Sequence, residues 1–385
     1  MKRFGLLPQI ILAITAGIIT GTLAPDWLIR VFATFNGLFG NFLNFVIPLI
    51  IIGFIAPGIG AIGKGAGKLL GMTTTIAYIS TIGAGLLAFF TAQTIYPMIL
   101  ANQASKAFDD PSKALLESYF VVEMPPVMDI MTALLLAFLL GLGIATIKGN
   151  TLEQMMNEFR SIVELVIEKV IIPLLPIHIF GIFANMTQGG QVSAIMSVFA
   201  KVFMMIIILH IIYLFAQYSV AGTLRKQNPF KMVKTMAPAY FTALGTQSSA
   251  STIPVTLDRS KKLGVKERIS DFSVPLLATI HLSGSTITLV SCAMAVMLIQ
   301  GQAYTFGSMF PFILMLGITM IAAPGVPGGA VMAATGLLGT MLGFDSTMIS
   351  LMIALYLAQD SFGTACNVTG DGAITAIVDK LNKSA

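Results

Sequence analysis

Charge is what this sequence has least of. Of 385 residues only 10% are charged, while 56% are hydrophobic and the mean hydropathy is +0.88. A water-soluble domain covers its surface with far more charge, so the solvent for most of this chain is lipid. Cysteine is nearly absent. Cys292 and Cys366 both lie inside apolar segments at no metal spacing, which leaves no disulfide framework and makes them packing residues. No Walker, zinc-ligand or dinucleotide-binding pattern occurs, so neither ATP hydrolysis nor an organic cofactor is implied.

Apolar stretches near the length of a bilayer-crossing helix recur from end to end. They are uncharged runs with Gly and Pro inside them, not the every-second-residue alternation of a barrel strand, so the fold class is all-α and polytopic. The net charge of +5 does not point to nucleic acid, because of where it sits. Lys2 and Arg3, Lys64 and Lys68, Arg225 to Lys234, Arg259 to Arg268, and Lys380 with Lys383 occupy alternate gaps between apolar runs. The gaps around 24–31, 188–192, 301–307 and 343–346 are almost free of Lys and Arg. That alternation is the positive-inside pattern, and it predicts cytoplasmic N- and C-termini. Pro8 interrupts the first apolar run, and 22–27 makes a poor cleavage site, so an uncleaved first span is expected rather than a signal peptide.

The runs predict spans at 5–23, 32–61, 69–99, 127–147, 157–187 and 193–222, with a polar, partly acidic excursion at 100–126. After Thr223 the pattern changes. The apolar stretch 229–263 is broken at its middle by Gly245 to Thr252 and carries cytoplasmic-type charge at both ends, which predicts a re-entrant hairpin. A second broken stretch, 306–342, has Pro324-Gly325-Val326-Pro327-Gly328-Gly329 at its centre and uncharged ends, so it enters from the other face. Each is followed by a span expected to be interrupted, at His281–Ser285 and at Gly363–Gly372. Irregular backbone at membrane depth is tolerated where it lines a cavity, and paired interruptions in two inverted halves point to a transporter's midplane site. Gly and Pro that merely kink ordinary spans are the bland alternative, weakened by four such segments in a row.

Asp360 and Asp371 are the acids of the last apolar segment before Asp379. A carboxylate in a span costs several kcal/mol unless it is paired or coordinated. They fall eleven residues apart on one helix face with Thr364 and Asn367, forming a polar ladder. Pairing with basic neighbours is the structural alternative, but no Lys or Arg lies between 269 and 379. Ser248-Ser249-Ala250-Ser251-Thr252 adds hydroxyls and free N–H groups at a half-helix end, where a substrate anion is favoured.

These residues resemble the dicarboxylate/amino acid:cation symporter family, which includes the glutamate and neutral amino acid transporters. The resemblance is carried by Ser251-Thr252-Ile253-Pro254-Val255-Thr256, by Gly325-Val326-Pro327-Gly328-Gly329 and by Asn367-Val368-Thr369-Gly370-Asp371. It implies eight transmembrane helices plus two re-entrant helical hairpins, a homotrimer in a prokaryotic cytoplasmic membrane, and an elevator mechanism. The implied scaffold is 1–67 (helices 1 and 2) with 100–190 (the excursion and helices 4 and 5). The implied transport domain is 68–99 (helix 3), 191–226 (helix 6) and 227–385 (hairpin 1, helix 7, hairpin 2 and helix 8).

Carried over by position, Ser249 and the backbone at Gln247 hold the α-carboxylate region of the substrate, with Ser248 beside them and Asn367 assisting. Asp360 pairs with the α-ammonium, Thr364 supports it, and Ser285 with the backbone of Val326 and Ala330 lines the rest. The resemblance places a sodium ion at Asp371, Asn367 and the Leu277 carbonyl, and a second among the carbonyls of Thr279, Leu282, Ile321 and Ala323. Tyr78 and Thr81 fall near a third cation site, together with Ser283.

The sequence departs from the family at three places. Gly363 stands where members with acidic substrates carry Arg, which predicts a small neutral, zwitterionic amino acid as substrate. The family's Asn-Met-Asp-Gly-Thr reads His281-Leu282-Ser283-Gly284-Ser285, so a carboxylate of the third site is a hydroxyl here. Met320 and Ala323 stand where hydroxyls often border the second site. Sodium at Asp371 is the expected driver. A proton carried through His281, whose imidazole changes charge near neutral pH, is the alternative, as are a sodium-independent transporter of amino acids or dicarboxylates and a purely structural imidazole. An intramembrane aspartyl protease is a poor rival, because two acids eleven residues apart on one helix are ~16 Å apart rather than converging. A passive channel would differ in passing current without substrate. His178 and His210 read as packing residues.

Overall fold

The computed structural model describes residues 6–63, 68–104, 116–190, 192–323 and 328–382. Among these the chain is helical, with no strand. Helix α1 is Leu6–Leu23, α2 Asp26–Gly63, α3 Lys68–Ala104, α4 Ile130–Thr146 and α5 Thr151–Val166. A π turn at Ile167–Ile171 leads into α6, Ile172–Gln188, where Pro173 lacks the N–H that would continue the regular ladder. Then come α7 Val192–Arg225, α8 Pro229–Thr246, α9 Ser249–Lys262, α10 Glu267–Ile280 and α11 Ser283–Ile299. The last four are α12 Phe306–Ala322, α13 Gly329–Leu342, α14 Ser346–Leu357 and α15 Asp360–Leu381. Among the described residues, five stretches are long and apolar enough to cross a membrane, and the bent pair α14–α15 makes a sixth.

The four helix pairs after α7 explain how irregular backbone reaches the interior. Between α8 and α9 the chain turns at Gln247, whose φ of 53° is left-handed, and Ser248 caps α9 by accepting from the Ser251 N–H. Between α10 and α11 only His281 and Leu282 leave the helical conformation, which matches the expected interruption. Between α12 and α13 the described chain resumes at Gly328 with φ 74°, a conformation that favours glycine. Residues 324–327, the tip of the second predicted hairpin and the home of Val326, lie outside the described residues.

The last span differs from expectation. No break occurs at Gly363–Gly372, because α15 runs uninterrupted from Asp360 to Leu381. The bend, 61°, falls earlier, at Ala358 and Gln359. The glycines of α15 serve close approach instead. A Cβ on Gly370 would lie 2.7 Å from Gln217 Oε1, and one on Gly372 would lie 2.6 Å from Met236 Cε.

Helix α11 is the centre of the molecule. Of its 17 residues only Leu298 is not buried, and it packs against α3, α7, α14 and α15. A large apolar core joins α1, α2, α4, α6, α11 and α13. A smaller one surrounds the C-terminal half of α15 with α7, α8 and α10. The extended segment 116–129 lies over α2 and α6. Asn185 pairs with both the N–H (2.9 Å) and the carbonyl (3.0 Å) of Leu116, and the Tyr119 N–H donates to Thr34. The charged ends meet at one side, where Arg225 bonds Asp379 at 2.5 Å and the Gly264 carbonyl at 2.7 Å. Lys261 there pairs with Glu267 at 2.6 Å.

Candidate functional site

The face of α15 that carries Asp360, Gly363, Thr364 and Asn367 follows helical spacing i, i+3, i+4, i+7. All four residues are buried. The opposing surface is the break before α11, and Gly284 makes the contact possible. A Cβ there would lie 2.4 Å from the Gly363 carbonyl oxygen and 2.6 Å from Cys366 Cβ. With the two backbones this close, the Asn367 amide caps α11, its Oδ1 accepting from the N–H groups of Gly284 (2.7 Å) and Ser285 (3.2 Å). That orientation turns Nδ2 toward Ser285 Oγ, 2.9 Å away, and the Tyr356 hydroxyl donates to the same oxygen at 3.0 Å. Ser285 thus accepts twice and keeps its own proton to donate.

Asp360 opens α15. Its Oδ2 accepts from the Gly328 N–H at 2.7 Å, tying the start of α15 to the start of α13, and Ala330 is buried in the next turn. Among the described residues Asp360 has no cationic partner, and its other hydrogen-bonding neighbour is the Tyr356 hydroxyl. A buried carboxylate beside a hydroxyl with a free proton is a matched pair for an ammonium and a carboxylate on one small molecule. Thr364 is buried one turn on. The first hairpin packs α8 and α9 against α15, and Ser249 is buried at its tip. Gln247 and Ser248 are half-buried.

One helical turn beyond Asn367, Asp371 faces His281. Asp371 Oδ1 is 2.8 Å from His281 Nδ1, and both side chains are buried. Across the ring, His281 Nε2 lies 3.0 Å from Ser80 Oγ and 3.3 Å from Gln217 Nε2. Gln217 donates to Ser80 Oγ at 2.9 Å, and Tyr213, 3.1 Å from Ser80 Oγ, also donates to the Ser80 carbonyl. Ser80, Tyr213 and Gln217 were not picked out from the sequence. The available signal was Tyr213 and Gln217, one turn apart in a mostly apolar span.

The sodium-site residues meet unevenly. The Leu277 carbonyl accepts the His281 N–H at 2.9 Å, closing α10. Thr279, Ile321 and Ala323 line one cavity of about 160 Å³ together with Arg160, whose Nε bonds Glu164 at 2.9 Å. Leu282 is buried at the break but does not line that cavity. The Tyr78 hydroxyl donates to the Leu314 carbonyl at 3.2 Å, Thr81 bonds back to Ala77 at 2.9 Å, and the buried Ser283 hydroxyl has no hydrogen-bond partner. Among the described residues no cluster of His, Cys, Asp and Glu has the form of a transition-metal site.

The sequence profile of the sodium:dicarboxylate symporter family matches residues 6–381. The chain belongs to that family. Its members move solutes across membranes and are not enzymes, which agrees with the transporter expected from the broken apolar hairpins. Similar curated proteins include the serine/threonine transporters SstT of Acinetobacter baumannii strains AYE and ATCC 17978. Each is 26% identical over 390 residues, covering 98% of this chain and 97% of the relative.

Proposed function

We propose that this chain is a secondary active symporter for a small neutral amino acid, coupled to a cation bound at Asp371. The observation that carries it is Asp360, a buried carboxylate without a cationic partner among the described residues, beside the donor proton of Ser285. An α-ammonium at Asp360 and an α-carboxylate near Ser285 complete the unsatisfied valences of both. Gly363 leaves no cation for an acidic side chain, and the serine/threonine relatives support small hydroxyl amino acids as leading candidates.

In this reading the membrane unit has eight spans, formed by α1, α2, α3, α4, the α5–α6 pair, α7, the α10–α11 pair and the α14–α15 pair. Two re-entrant hairpins are α8–α9 and α12–α13. A scaffold of α1, α2 and α4–α6 holds a moving unit of α3 and α7–α15, which slides as an elevator in a homotrimer with cytoplasmic termini. Sodium is the coupling ion of this reading, with ligands from Asp371, Asn367 and the carbonyl of Leu277. Neither the Arg160 beside the second cavity nor the partnerless Ser283 favours further sodium ions, so one is carried per cycle.

A second reading is supported by the hydrogen bond from His281 to Asp371, which occupies an oxygen that sodium would need. There the coupled ion is a proton. The network around Ser80 is satisfiable in both protonation states. With neutral His281, Ser80 donates to Nε2. With imidazolium, Nε2 donates to Ser80, which donates on to Tyr213. The test is uptake of labelled neutral amino acids into proteoliposomes with sodium and pH gradients imposed separately. Sodium-driven uptake that survives in His281→Gln supports sodium. Uptake that ignores sodium, follows the pH gradient and is lost in His281→Gln supports the proton instead. Absence of any neutral amino acid uptake overturns both.

A further inference from the structure

Gly363 lies on the same face of α15 as Asp360, Thr364 and Asn367, so whatever stands opposite it faces the substrate's side chain. The nearest atoms to a Cβ built on Gly363 would be Ser285 N and Thr288 Oγ1, each at 3.6 Å, and the Gly284 carbonyl carbon at 3.7 Å. Those are ordinary contact distances. The gap therefore accepts one methyl-sized group, and its polar wall is the Thr288 hydroxyl.

The orientation of that hydroxyl is set from behind. Thr288 Oγ1 donates to the Gly284 carbonyl one turn back at 3.1 Å. His210 Nε2, on α7, points at the same carbonyl from 3.0 Å and at Thr288 Oγ1 from 3.2 Å. Two donors converge on the Gly284 oxygen, so the Thr288 proton is committed and a lone pair is left to accept. His210 is buried, and its Nδ1 has no partner, which suits the bare lone pair of an imidazole protonated at Nε2. No acidic side chain hydrogen-bonds it among the described residues.

We infer that Thr288, oriented by His210, reads the substrate's side chain by accepting a hydrogen bond from a hydroxyl placed in the gap beside Gly363. The class selected is a small amino acid whose side chain carries a donor, as in serine or threonine. A carboxylate offers no proton to this acceptor. A site built around a hydrogen bond discriminates against analogues that lack it far better than an apolar pocket senses a missing methylene. This inference rests on the amino acid symport reading above.

The experiment uses the full-length protein in proteoliposomes, with uptake of labelled L-alanine competed by unlabelled L-serine, L-threonine, L-alanine and L-2-aminobutyrate. The readout is the ratio of half-inhibiting concentrations for each hydroxyl compound against its hydroxyl-free counterpart. The wild type is expected to favour the hydroxyl compounds. Thr288→Val, which keeps volume and removes the acceptor, should cut that preference roughly tenfold, and Thr288→Ser should restore it. Gly363→Ala serves as an independent variant, because its methyl fills the gap at ordinary contact distance. It should weaken serine relative to glycine. Thr288→Val protein that transports with its hydroxyl preference intact overturns the role of Thr288 while leaving neutral amino acid symport standing. Should Thr288→Val not fold, an unchanged serine-to-glycine ratio in Gly363→Ala overturns the inference. A wild type that takes up no neutral amino acid overturns the symport reading and this inference with it.

Discussion

His281 Nδ1 lies 2.8 Å from Asp371 Oδ1 in the buried contact between the α10–α11 break and α15. With Asp371 ionised, the imidazole donates, and its far nitrogen is held by Ser80 and Gln217. The pair is thus fixed on both sides, and Gly370 lets Gln217 and His281 reach the α15 backbone. In the proposed symport, the coupled cation binds at this carboxylate.

Asp371→Asn tests that dependence. The amide oxygen keeps an acceptor for His281, so the fold is retained, but the charge is gone. Gradient-driven uptake should fall at least tenfold, whichever of sodium or protons supplies the gradient, because a cation bound at a buried site needs its counter-charge. Measuring uptake under each gradient, with thermal unfolding as the check on folding, decides it. Uptake at the wild-type level under either gradient would remove Asp371 from the coupling site.

Asp360→Asn makes a different prediction, since Asp360 is the proposed partner of the substrate's ammonium rather than of the ion. The Gly328 N–H retains an oxygen to bond, so the link between α13 and α15 persists. A zwitterion would leave its ammonium buried without a counter-charge, at a cost of several kcal/mol, so affinity should drop by roughly 100-fold or more. Substrate-induced thermal stabilisation of purified protein reads this directly. Equal stabilisation of the two proteins would refute the assignment.

Hydropathy carried most of the architecture because bilayer spans are long and nearly uncharged. The breaks at Gln247–Ser248 and His281–Leu282 stood out as clusters of Gly, Ser and Thr within apolar runs. The same cue misled at Gly363–Gly372. Glycine marks either a bend or a close approach, and in α15 it is the second, against Gln217, Met236 and the α11 backbone. The true bend, at Ala358–Gln359, uses residues with no local preference for bending, so it is a product of packing. Asp360, Asn367 and Asp371 were legible as acids and amides where lipid forbids them. Ser80, Tyr213, Gln217, Thr288 and His210 were not, since a single hydroxyl or ring in a span has many structural uses and only its partners reveal one.

Gly284→Ala should damage the protein as a whole. Its Cβ meets the Gly363 carbonyl oxygen at 2.4 Å, and that oxygen belongs to a buried helix backbone with nowhere to move. Forcing α11 from α15 also breaks the Asn367 cap, so a loss of about 2–3 kcal/mol is expected. Gly143→Ala in α4 is the control. Nothing lies within 4 Å of its Cβ, and the exchange should be neutral or stabilise by up to ~1 kcal/mol. Thermal unfolding of the two variants should therefore shift in opposite directions or leave only Gly284→Ala lowered, and equal shifts would contradict the close contact.

Aspartate should fail to compete for the site. In the proposed binding mode the side chain of the amino acid faces Gly363, Ser285 and Thr288, and no Lys or Arg occurs anywhere between residues 269 and 379. Asp360 already contributes a negative charge to the same buried region, where the Gly328 N–H and the Tyr356 hydroxyl answer it but no cation does. A second carboxylate there would be desolvated without a partner and repelled by the first, a penalty of several kcal/mol. At 3 kcal/mol that is more than 100-fold in affinity. The measurement is inhibition of labelled alanine or serine uptake by aspartate and by asparagine, which differ by one charge at nearly equal size. Asparagine should inhibit at least 100-fold more strongly than aspartate. Near-equal inhibition would mean that a cation reaches the side chain after all, and would return dicarboxylates to the range of substrates.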